Sequence, residues 1–142
     1  MNSPPVDDRT AQYILETRKC FEDLRQVAAQ IAGVLVLAAA EGNSATPDHP
    51  MLKAAAELHR EAFDDLRSIR PTERARPHHQ HLMQATETLG MALCASKKME
   101  VDPILVPVRA AYAHLQRASE TLPGFEIVSF QQGCCAVHLA QQ

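Results

Sequence analysis

Apolar side chains recur at three- and four-residue steps through four stretches of this chain, the spacing that gathers them on one side of an α-helix. The first stretch, from about Asp8 to Glu41, brings Tyr13, Cys20, Leu24, Val27, Ile31, Leu35 and Ala38 into register, and Gly42 is suited to stop it. The second begins after Asp48 and His49 with Pro50 at an early helical position. It aligns Leu52, Ala55, His59, Ala62, Phe63, Leu66 and Ile69 before Pro71 ends it. The third opens at Pro77 and puts His78, Leu82, Ala85, Leu89, Ala92, Leu93 and Ser96 on one side, closing near Lys97 and Lys98, where cations favour the helix dipole. The fourth follows Asp102 and Pro103, turns Ile104, Val108, Ala111, Leu115, Ala118 and Leu122 inward, and stops at Pro123-Gly124. Pro107 removes a backbone donor near its start, which predicts a kink or a delayed first turn.

Four such stripes joined by short connections bury one another most simply in an all-α, antiparallel up-down-up-down four-helix bundle. Alternating direction would collect the start of the first segment, the turn between the second and third, and the C-terminal tail at one end. The tail, residues 124–142, begins with Phe125, Ile127, Val128 and Phe130, apolar enough to pack on that end of the bundle. Residues 1–7 read as a flexible N-terminus, and the 142-residue chain as one domain.

Composition supports the helical reading: 46 % of residues are hydrophobic, yet there are only four Phe, two Tyr and no Trp, a balance that suits Ala- and Leu-rich helix packing better than strand pairing. A net charge of −3 gives no reason to expect general nucleic-acid binding, which draws much of its affinity from neutralised phosphates. The first residues have neither a basic start nor an apolar run, and the apolar stretch from Ala28 to Ala40 is too short for a bilayer, so no membrane association is expected. Four widely spaced cysteines, two of them adjacent, do not form a secreted disulfide framework; the expected compartment is the reducing cytoplasm.

Three groups of residues carry candidate chemistry. In the tail, Cys134, Cys135 and His138 are ligand types for a transition metal such as zinc, and the same bundle end would add His78, His79 or His81. A disulfide between Cys134 and Cys135 would strain the backbone, because neighbouring Cα atoms are only about 3.8 Å apart. Arg67, Arg70, Arg74 and Arg76 make the second turn locally basic, a place for an anionic small molecule or an acidic protein segment. Cys20, His59 and His114 interrupt or border apolar stripes at similar depth and would line a pocket if the helices turn them toward one another.

No Gly-rich phosphate loop, nucleophile elbow or zinc-protease pattern accompanies these residues, and the paired Glu-x-x-His of di-iron bundles is absent. The sequence therefore reads as a non-catalytic helical module that binds an unidentified ligand or regulates a partner. A metal- or thiol-dependent sensor using the Cys/His tail is the alternative, and an enzyme with a pocket in the bundle core the third reading. The second half of the first segment, Ala28 to Ala40, is apolar on every side, more than one inward stripe requires. That surplus predicts a homodimer closed through this surface.

Overall fold

Each helix begins where a side chain or a proline disposes of the backbone groups that the first turn leaves unpaired. The computed structural model describes residues 5–40, 48–98 and 100–125, and in it the four stripes become four α-helices. Helix α1 runs Asp8–Ala40, α2 Pro50–Ser68, α3 Arg76–Ala95 and α4 Val101–Thr121. Asp7 caps α1, its Oδ1 accepting from the Thr10 amide at 2.7 Å. That hydrogen bond, reinforced by the Thr10 side chain and by Arg9 and Arg74, holds the Asp7 carboxyl below its usual pKa. His49 caps α2, its Nδ1 accepting from Met51 at 3.1 Å ahead of Pro50. The chain enters α3 through Thr72, whose Oγ1 accepts from the Ala75 amide at 3.2 Å.

The boundaries differ modestly from the sequence expectation. Helix α4 starts at Val101, ahead of Asp102 and Pro103, and continues through Pro107, which is buried inside it. Proline fits the first turn because that turn's amides have no helical partner, and at Pro107 the helix tolerates one missing bond.

The four inward stripes form one core, and an all-α four-helix bundle results. Helix α1 packs against the other three, α3 bridges α2 and α4, and among the described residues α2 and α4 do not touch. Several contacts gather at one end. The Thr10 and Thr72 hydroxyls share a hydrogen bond at 2.9 Å, Tyr13 reaches His78, and Phe125 lies between Phe21, which it meets edge to face, and the tilted ring of His78. Phe125, the first apolar residue of the tail, is buried there; the tail from residue 126 lies outside the described residues.

Two expectations change. The apolar surplus in the second half of helix α1 is smaller than expected, because the bundle itself buries Ala28, Ile31, Val34, Leu35 and Ala38. The exposed remainder is Ala29, Val36, Ala39 and Ala40, with Leu37 half-buried. The membrane argument also changes when the whole helix is counted: α1 is long and apolar enough to cross a bilayer by length and composition, its most apolar window having a mean hydropathy of 1.3. A core helix meets the same test, and α1 buries twelve side chains within the bundle.

Candidate functional site

A cleft of about 350 Å³ opens between α2 and α3. Its walls are Phe63 of α2 and Met83 of α3, with Thr86 and Gly90 below and Gln84 and Glu87 at the rim. On the α2 side of this lining the polar group is His59. Its Nε2 lies 2.8 Å from the Thr86 carbonyl oxygen, so Nε2–H donates. In the neutral ring that fixes Nδ1 as the acceptor left for a ligand.

Helix α3 has no side chain at residue 90, and the His59 ring lies beside the bare backbone there: a Cβ would stand 3.4 Å from both Cε1 and Nε2, at the near edge of ordinary van der Waals contact. A mid-helix glycine costs about 1 kcal/mol relative to alanine. Thr86 is held in turn by its own hydroxyl, which donates to the Leu82 carbonyl at 2.7 Å. Across the rim, the Arg67 guanidinium lies 5.3 Å from the centre of the Phe63 ring and covers one face of it.

A smaller cleft of about 250 Å³ opens where the start of α2 meets the end of α3, with Leu52, Lys53, Leu93 and the exposed Cys94 in its lining.

The expected core pocket of Cys20, His59 and His114 is not assembled. His59 faces α3 from α2, whereas His114 meets α3 from α4, and α2 and α4 are not in contact. Cys20 is buried in the core of α1; burial, with Asp65 and Asp23 adding to it, pushes its thiol up to about 11. A thiol that stays protonated at neutral pH packs as a small apolar group. His114 instead lies beside His81, with ring centres 6.3 Å apart. Burial, followed by Arg117 and His81, holds the His114 ring below its usual pKa.

His78 is placed deeper than a surface ligand. It is fully buried, its Nδ1 lies 2.8 Å from the Tyr13 hydroxyl, and its Nε2 has no hydrogen-bond partner. Burial, with His79 and His81 adding to it, pulls its pKa down to about 4, and burial likewise raises that of Tyr13. His79 Nε2 lies 3.0 Å from the Leu66 carbonyl oxygen and ties α3 to the end of α2. The other proposed metal ligands, Cys134, Cys135 and His138, lie outside the described residues. Among the described residues no three of His, Cys, Asp and Glu gather as a metal site.

The arginines flank the turn between α2 and α3. Arg67, Arg70 and Arg76 are exposed, Arg74 is half-buried, and none lines either cleft. Sequence reasoning found His59 but missed its surroundings, and the one available signal was Gly90, a glycine interrupting an otherwise regular helix. No protein-family profile, curated protein or solved structure matches this chain.

Proposed function

We propose that this bundle is a non-catalytic binding module for a small, largely apolar molecule that carries a hydrogen-bond donor. The observation that carries this reading is the α2–α3 cleft, in which a histidine is fixed by Thr86 and seated against Gly90 within an apolar lining. About 350 Å³ is within the usual range for small-molecule sites, and such sites pair an apolar wall with a few placed polar groups. Phe63 and Met83 supply contact area, His59 Nδ1 accepts from the ligand, and Glu87 at the rim favours a donor with positive character.

The test uses benzylamine, benzyl alcohol and toluene as probes, followed through the Met83 methyl resonance. Saturable shifts in the order benzylamine, benzyl alcohol, toluene are expected, and Gly90→Leu, which fills the cleft, abolishes them. An absence of saturable shifts at millimolar probe, or shifts that persist in Gly90→Leu, overturns the proposal.

A second reading concerns self-association. The exposed strip of Ala29, Val36, Ala39 and Ala40 on α1 supports a homodimer, since Val36 is 67 % exposed among small apolar neighbours. The free thiols Cys20 and Cys94 suit a reducing cytoplasm.

A further inference from the structure

We propose that His81 and His114 form a two-histidine site for a divalent transition metal on the α3–α4 side of the bundle, separate from the α2–α3 cleft. His81 is in the second turn of α3, and His114 projects from α4 beside it. The ring centres are 6.3 Å apart and the ring planes differ by 29°. Each ring has the same unmet need: Nδ1 of His81 and Nδ1 of His114 are both shielded from solvent and have no hydrogen-bond partner. One such nitrogen in a folded protein calls for an occupant, because an unpaired buried polar atom costs about 1–3 kcal/mol. Two of them on neighbouring helices, on rings within contact of each other, point to a shared occupant.

The chemistry of the donors identifies its class. Imidazole nitrogen is a borderline ligand that suits zinc, copper and nickel rather than calcium or magnesium. Two imidazoles on one tetrahedral zinc hold their ring centres about 5 Å apart, from zinc–nitrogen bonds of about 2.1 Å and roughly 1.1 Å from ring nitrogen to ring centre. The separation here is 6.3 Å, so binding draws the two rings together by about 1 Å and turns each Nδ1 toward the ion. Both residues are half-buried, which leaves one side of the site open for water to complete the coordination. With two protein ligands and no third or fourth among the described residues, the site binds metal exchangeably rather than as a structural zinc.

The test is a zinc chloride titration of the full-length chain, followed through the imidazole nitrogen-15 resonances and repeated on a Cys134→Ser, Cys135→Ser variant that removes the tail thiolates. The expected result in both proteins is that the Nδ1 signals of His81 and His114 shift together and saturate at one zinc per chain. Separately, His81→Gln and His114→Gln should each weaken zinc binding at least about tenfold while helicity is retained. The proposal is overturned if millimolar zinc moves neither Nδ1 signal, which would leave water as the occupant, or moves only one. Loss of the shifts in the serine variant, or undiminished affinity in a protein lacking both histidines, also overturns it. Should either variant fail to fold, the titration of the unaltered histidines decides the matter alone.

Discussion

Protonating His78 in the folded chain means charging a ring that has no exposed surface and lies against Phe125. Its pKa falls from 6.5 to about 4 for that reason, with His79 and His81 adding to the effect. Above pH 6.5 the ring is neutral in both folded and unfolded chains, and stability is full. Between pH 6.5 and about 4 only the unfolded chain takes up the proton, so stability falls by up to about 3 kcal/mol; below about 4 this loss levels off. Urea midpoints measured from pH 7 to pH 4 should decline, and His78→Gln should remove most of that slope. The partner gives an independent check. Tyr13→Phe leaves both nitrogens of the buried ring unpaired and should cost about 1–3 kcal/mol at neutral pH, whereas an unchanged midpoint would mean that the 2.8 Å contact contributes nothing. Both residues were legible in the sequence as members of apolar stripes. Their pairing was not, because they are 65 positions apart and their meeting depends on how two helices rotate. The same limit separated His59 and His114, which meet α3 at Thr86 and at His81 rather than meeting each other.

The elements themselves were the most legible part, since periodicity and proline placement locate all four helices to within a few residues. The ends were less so. His49 was not read as a cap because histidine is not among the usual capping residues, yet its Nδ1 does what an Asp or Ser oxygen would do. At the far end of α4 the chain turns through Gly124, whose φ of +95° suits glycine, and a Cβ there would sit 3.2 Å from Ile14. This turn delivers Phe125 to its place between Phe21 and His78. Gly124→Ala should therefore destabilise the bundle by about 1–2 kcal/mol, and Phe125→Ala by about 3–5 kcal/mol, both measured by chemical denaturation. A Phe125→Ala chain as stable as the parent would show that docking of the tail's first residue is incidental.

At the scale of the molecule, the surplus of apolar residues in α1 was legible, but how much of it the bundle itself absorbs was not. Four stripes on a helical wheel do not reveal which flanks a neighbouring helix covers, and here the bundle buries Val34, Leu35 and Ala38. What remains around Val36 predicts a reversible dimer: light scattering over a concentration series should show mass doubling, and Val36→Lys should hold the protein monomeric. A parent chain monomeric at high micromolar concentration defeats this. The covering is also uneven. Helix α1 buries twelve side chains and α3 and α4 six each, but α2 buries only Leu52, Ala55, Ala62 and Leu66, two of them alanines. Among the described helices, α2 is held by α1 and α3 and not by α4. Apolar burial sets how firmly a segment is kept closed, so α2 is the helix that opens first, and its backbone amides should exchange with deuterated solvent well before those of α1. One wall of the α2–α3 cleft is thus the helix with the fewest buried side chains, and an occupant that bridges Phe63 and Met83 would announce itself as slowed exchange along α2.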